Sequence, residues 1–284
     1  MKKMLQSGES DMNDVLMHAF EKLTEIIEKD KRCLGGWHFG SISRGMDDEY
    51  SDVDPVFVID GRYFEEFDNE LPQLFEKICD RVVICWPMFY NNDEIKAYGF
   101  DIQIDGKVFL FDIFLINSLK TESWGFREHS TGIKEENIIF DRDGVIAEIV
   151  KNAPKGEIPI RNVSQIIDTY WFHIHMITKY FSRQDYFKIL NNINVLMNAH
   201  TELLLSEYDC ITWGGWESKL QFIPSEKQEH LKLYYRLTDL DSVKNDLKTS
   251  MNWFSEDAQE ICLSKGLNYP MTLEIDLKQE FENL

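Results

Sequence analysis

The sequence predicts an α+β protein in two parts: a mixed β-sheet with helices packed on it over residues 1–155, then a helical bundle over residues 156–284. Three observations carry this reading. The first half interleaves segments of helical period with short β-branched and aromatic runs. The second half lacks strand alternation. Between them the composition shifts at Pro154, Gly156 and Pro159, which reads as a linker.

The elements follow in order. Residues 11–29 place Val15, Leu16, Phe20, Leu23, Ile26 and Ile27 at helical spacing. A strand spans Cys33 to Phe39 and ends at a Gly40-Ser41 turn. A second strand, carrying Asp52 and Asp54, continues through Val56-Phe57-Val58-Ile59 and stops at Asp60-Gly61. Residues 63–80 are expected to be helical, with Pro72 as a candidate break. Arg81 to Trp86 forms a strand bounded by Pro87. Phe100 to Ile104 and Lys107 to Ile116 form a hairpin across Asp105-Gly106, a dipeptide suited to a two-residue turn. Ile138 to Phe140 is a short strand. Beyond the linker, Ser164 is a candidate cap, and helices are expected over Gln165–Phe181, Asp185–Glu207, Ser225–Leu237 and Asp239–Lys265. Short connections between them favour antiparallel packing in a bundle.

Composition narrows the function. The chain has 284 residues, 43% of them apolar, enough for a substantial core. Its formal charge of −20 argues against a phosphate-tracking surface, hence against a nucleic-acid partner, and fits a cationic small substrate or a solvated acidic surface. Five scattered cysteines without C-x-x-C spacing make zinc and a disulfide framework poor expectations, and reduced thiols suggest the cytoplasm. No apolar run reaches membrane-spanning length, and the first residues have no signal-peptide core.

The chemistry concentrates in Phe39-Gly40-Ser41-Ile42-Ser43-Arg44-Gly45 and Tyr50-Ser51-Asp52-Val53-Asp54. In an extended chain, Asp52 and Asp54 point the same way, roughly 6.6 Å apart. Like charges so placed repel unless a cation lies between them, and hard oxygen ligands suit Mg²⁺. The small Gly40-Ser41 turn lets a polyphosphate approach backbone N–H groups, and Arg44 can neutralise a phosphate, with a salt bridge to Asp47 or Asp48 as the competing role. Asp112 is the lone charge in the apolar run Val108 to Ile116, where an unpaired carboxylate is costly. It serves as a third metal ligand or general base, or as a strand-end or ion-paired structural carboxylate. Asp101 reads as the solvent face of an alternating strand. Together these parts describe a site for a metal-bound nucleoside triphosphate.

The order Gly-Ser, Ser-Asp-x-Asp, then a carboxylate in a later apolar strand resembles the nucleotidyltransferase superfamily that includes DNA polymerase β. Arg44-Gly45 and the helical second half bring it nearest to the antibiotic nucleotidyltransferases, of the streptomycin 6-adenylyltransferase and lincosamide types. The resemblance implies that Gly40 and Ser41 contact the triphosphate of ATP or another NTP. It implies that Asp52 and Asp54 bind Mg²⁺ and that Asp112 is the third carboxylate. Ser218-Lys219 resembles a serine-lysine element of the family, which makes Lys219 a phosphate contact or else a solvated lysine.

On the acceptor side, Asp168, Trp171 and His175 recur at i, i+3, i+7 on one helix face and can grip a sugar or protonated amine, or else form core and rim. Trp213-Gly214-Gly215-Trp216 lines a cleft or packs as a corner. The expected activity is Mg-dependent transfer of a nucleoside monophosphate to a hydroxyl of a small molecule, an aminoglycoside or lincosamide. The alternatives are a protein or nucleic-acid acceptor, and a non-catalytic nucleotide-binding module.

Overall fold

The computed structural model describes residues 12–48, 50–120, 129–130, 133–152, 162–208, 219–236 and 239–284. The Trp213–Trp216 turn and the Pro154–Pro159 linker lie outside the described residues. The chain divides into two compact units, the first ending at Gly156 and the second beginning at Glu157. Among the described residues no helix is long and apolar enough to cross a membrane.

The first unit holds α1 (Met12–Lys29), β1 (Cys33–His38), β2 (Pro55–Ile59), α2 (Phe64–Phe75), β3 (Arg81–Pro87), β4 (Ile95–Ile104), β5 (Lys107–Asn117), β6 (Ile138–Asp141) and α3 (Val145–Asn152). Its six-stranded sheet has the order β3-β4-β5-β2-β1-β6. β2 and β5 run parallel; the other neighbours pair antiparallel, so the sheet is mixed. The apolar sides of α1 and α2, including Leu16, Leu23, Phe67 and Leu71, are buried in one core with Phe57, Phe100 and Phe111 of the sheet. Phe75 stacks on Phe100 with ring centroids 4.0 Å apart.

Several expectations need adjustment. α2 runs unbroken through Pro72 and stops at Phe75, five residues before the expected end at residue 80. Past that point the N–H groups of Lys77 and Ile78 bond three residues back, to Leu74 and Phe75, so the chain leaves the helix through tightened turns. β4 starts at Ile95, five residues before Phe100. Asn91 and Asn92, which read as loop, secure that start: Asn92 Oδ1 accepts from Glu94 and Ile95 N–H, and the Asn91 amide bonds Ala97 at both its N–H and C=O. The Asp105-Gly106 hairpin forms as expected, with φ of 50° and 79° at its two central residues.

The second unit holds α4 (Val163–Ser182), α5 (Tyr186–Leu205), α6 (Ser225–Lys232), α7 (Leu240–Ser264) and α8 (Met271–Glu282). Asn162, rather than Ser164, caps α4: its side chain accepts from Gln165 N–H while the Gln165 side chain returns to Asn162 N–H. Asp185 and Asp239 cap α5 and α7. α8 follows Pro270, beyond the last helix that the sequence predicts. The core of this unit is aromatic at its centre, where Tyr170 stacks on Phe254 at 3.5 Å between centroids.

Candidate active site

Pro55 is the first residue of β2, so Asp52 and Asp54 precede the strand instead of lying within it. The segment is nonetheless pinned from both sides. Asp112 N–H donates to Val53 C=O at 3.0 Å, and Phe39 N–H donates to Asp54 C=O at 2.9 Å. Val53 also bridges Phe111 in the parallel direction. One contact therefore sets the Asp-x-Asp segment beside Asp112 on β5, and the other sets it beside the Gly40 turn that follows β1.

The result is a cluster. Asp52, Asp54 and Asp112 each offer a carboxylate oxygen within 4.8 Å of the others. Burial, then the charges of Asp52 and Asp112, pushes the Asp54 carboxyl up to about 8. Burial, then Asp52 and Asp101, pushes Asp112 up to about 6. Burial also raises Asp52. Among the described residues no ion pair joins any of the three to a cationic side chain, so the cluster's negative charge is left without a balancing partner.

Gly40 has φ of 61°, and a Cβ on it would lie 2.0 Å from Asp54 Oδ2. The glycine backbone thus forms one wall against which the Asp54 carboxylate rests. Ser41 Oγ is buried and has no hydrogen-bond partner among the described residues. A 3-10 turn, Ile42–Arg44, follows; Ser43 Oγ donates to Gly40 C=O at 2.8 Å, and Asn137 Nδ2 donates to Ser43 C=O at 3.2 Å. Arg44 is exposed at the end of this turn, and among the described residues no ion pair joins it to Asp47 or Asp48. Asp48 instead accepts from Tyr50 N–H and Ser51 Oγ. All-oxygen donors, unbalanced negative charge, a wall that admits only glycine and an orphaned hydroxyl fit a hard divalent cation with a phosphate-bearing ligand.

Gly99 on β4 pairs across the sheet with Asp112, and a Cβ on it would lie 3.3 Å from Asp112 Oδ1. The missing side chain gives the Asp112 carboxylate its place. Replacing Gly99 with Val should shift that carboxylate by a few tenths of an ångström or more and lower any turnover that depends on it, by less than the about 10²-fold of a full 1 Å misplacement. Unchanged steady-state kinetics in Gly99→Val would refute this positioning role.

The acceptor-side expectations fare unevenly. Trp171 is fully buried, packs edge-on to Tyr170 and Phe254, and donates from Nε1 to Tyr269 OH at 3.1 Å. It is a core residue and is withdrawn as a substrate contact: the helix turns this position inward. Asp168 and His175 are exposed on α4, and His175 Nδ1 lies 2.9 Å from Glu280. Lys219 immediately precedes a 3-10 turn, Leu220–Phe222, in the second unit.

The sequence reading also missed a second titratable cluster. His200, His230 and Asp257 come together in the helical unit. Asp257 Oδ2 lies 2.8 Å from His200 Nε2 and 3.2 Å from His230 Nδ1, while Lys227 Nζ donates to Oδ1. His200 Nδ1 lies 3.1 Å from Tyr234 OH, which in turn meets Tyr170 OH at 2.9 Å. With a neutral His200 donating from Nε2 and accepting at Nδ1, each of these groups has a partner, so the cluster is a clamp joining α4, α5, α6 and α7. Burial alone would raise the Asp257 carboxyl, but hydrogen bonds from His200 and Lys227 hold it at about 2. Burial holds His200 below the ordinary histidine range, outweighing Asp257.

The sign is the same for both groups. An unfolded His200 takes its proton first as pH falls below 6.5, and an unfolded Asp257 takes its proton first below 3.8. Stability should therefore fall in acid, in two stages. Asp257→Asn should cost about 3 kcal/mol near neutral pH, because it deprives buried His200 of its carboxylate and leaves Lys227 only the exposed Glu260. Denaturant melts of both proteins from pH 7 to 3 check this; parallel pH profiles would refute it.

No family model matches the chain, and no curated protein matches it. Among solved structures, an aminoglycoside 6-adenyltransferase from Bacillus subtilis is similar, at 13% sequence identity and a TM-score of 0.43, with 97% of this chain and 98% of that chain covered.

Proposed function

We propose that the protein transfers a nucleoside monophosphate, AMP from ATP, to a hydroxyl of a small cationic acceptor of aminoglycoside or lincosamide type, releasing pyrophosphate. The observation that carries this reading is the convergence of Asp52, Asp54 and Asp112 beside the Gly40-Ser41 turn. Asp52 and Asp54 would hold Mg²⁺ with Asp112 as the third ligand. The bound ion would supply charge stabilisation to the phosphate oxygens and lower the pKa of the attacking hydroxyl.

The remaining work falls to the chain. Backbone N–H groups of the Gly40-Ser41 turn and the unpartnered Ser41 hydroxyl face the triphosphate, and Arg44 adds positive charge at its edge. Asp112 takes the proton of the acceptor hydroxyl as its oxygen bonds to the α-phosphorus. The bond from that phosphorus to the β-phosphate oxygen breaks, and pyrophosphate leaves with the electron pair. Lys219 as a phosphate contact, and Asp168 and His175 as acceptor contacts, are proposals carried by the sequence pattern.

The test is pyrophosphate release from each NTP with Mg²⁺ against a panel of aminoglycosides and lincosamides. Acceptor-dependent release supports the reading. Metal-dependent ATP binding without release from any pairing would replace it with a binding-only role.

A further inference from the structure

The sheet face that carries Asp112 stays open toward β3. The register aligns Trp86, Gly99 and Asp112 in one row across β3, β4 and β5, and Ile84, Asp101 and Leu110 in the next. Because neighbouring strands lie about 4.8 Å apart, Trp86 stands about 10 Å from Asp112, on the same face. Around the position of a Gly99 Cβ lie Asp112 Oδ1 at 3.3 Å, Leu110 Cδ1 at 3.7 Å and Trp86 Cβ at 3.9 Å, so carboxylate and indole flank the same glycine. The opposite face of these strands is packed under α1 and α2. On this face the apolar side chains are open: Trp86 is 65% exposed, Val108 56%, Ile84 47% and Leu110 38%. An indole with that exposure contributes little to the core, and a contiguous apolar patch beside a reactive cluster marks a binding surface.

Topology decides which substrate the patch faces. The Gly40-Ser41 turn follows β1, on one side of the carboxylates in the strand order, and Trp86 lies on β3, on the other. A triphosphate at the turn leaves the β3 side to the second substrate. Charge agrees, because Asp101 pairs with Leu110, two residues before Asp112 on the same face, and so places a carboxylate on the β3 side where a cation is favoured.

We propose that Trp86 and Asp101 form the acceptor subsite: a ring-bearing cationic acceptor lays an apolar ring face on the Trp86 indole, its ammonium group meets Asp101, and its hydroxyl is thereby held toward Asp112. The inference rests on the transferase reading for the identity of the substrate, but binding is measurable without turnover. The experiment is calorimetric titration of aminoglycosides and lincosamides into the full-length wild-type, Trp86→Ala, Trp86→Phe and Asp101→Asn proteins, with Mg-ATP titrated separately into each. Thermal melts accompany it, and the exposure of Trp86 predicts unchanged midpoints for its variants. Trp86→Ala and Asp101→Asn should each weaken acceptor binding about tenfold, with Trp86→Phe intermediate and Mg-ATP binding unchanged in both Trp86 variants. Wild-type acceptor affinity in Trp86→Ala and Asp101→Asn would overturn the subsite. So would a panel that fails to bind the wild-type chain, and retained Mg-ATP binding would then leave the carboxylate site standing.

Discussion

Asp54→Asn should reduce transfer by about 10³-fold or more while leaving the first unit at least as stable as before. The loss follows from the chemistry: a metal ligand contributes several kcal/mol of charge stabilisation, and each 1.4 kcal/mol is roughly tenfold in rate. The gain in stability follows from electrostatics. Burial and the charges of Asp52 and Asp112 raise Asp54, so an isosteric neutral amide removes the cost of keeping that group against its ordinary titration in the metal-free protein. A purely structural carboxylate would behave in the opposite way, costing stability when neutralised and leaving turnover alone. Steady-state kinetics with Mg²⁺, and thermal melts of the two proteins without added metal, separate the cases. Undiminished transfer in Asp54→Asn would refute the assignment of the cluster.

Gly40→Ala should come close to the same loss through backbone geometry, with every carboxylate retained. At φ of 61° alanine is strained by about 1 kcal/mol, a cost the first unit can absorb. The contact is the larger effect. A Cβ 2.0 Å from Asp54 Oδ2 cannot coexist with the present carboxylate, so either Asp54 swings away or the turn retreats. A displacement of about 1 Å at a reacting centre costs about 10²-fold, and here metal ligand and phosphate turn would be displaced together. The measurement is kcat/KM for ATP beside Mn²⁺ affinity by paramagnetic resonance. Both should fall in Gly40→Ala; unaltered Mn²⁺ affinity would show that the glycine does not support the metal ligands.

Much of this site is legible in the sequence because charges in apolar surroundings stand out. Asp112 is a single carboxylate in an otherwise apolar strand, and Asp52 and Asp54 are spaced to share a side. The structure adds the contacts between segments distant in sequence. The parallel β2–β5 pairing and the Asp112 N–H to Val53 C=O bond bring the third carboxylate to the other two. The Phe39 N–H to Asp54 C=O bond presses Gly40 against Asp54, which no local pattern reveals. Gly99 is unremarkable in sequence and acquires its role from cross-strand register. Trp171 and Trp86 show the converse failure. Helical spacing offered Trp171 to an acceptor, but its face turns into the core of the helical unit. Trp86 sits in a run that reads simply as a strand, and its exposure follows from β3 being the edge of the sheet, which no local pattern reveals. His200 and Asp257 are 57 positions apart and meet only through helix packing.

The most direct measurement is the mass of the acceptor after incubation with the protein, Mg²⁺ and ATP, across aminoglycosides and lincosamides, with Asp54→Asn as control. A gain equal to one adenylyl group, dependent on wild-type protein and absent with the variant, is the predicted result. Acceptors of unchanged mass, with ATP converted only to ADP and phosphate, would contradict transfer at the α-phosphorus.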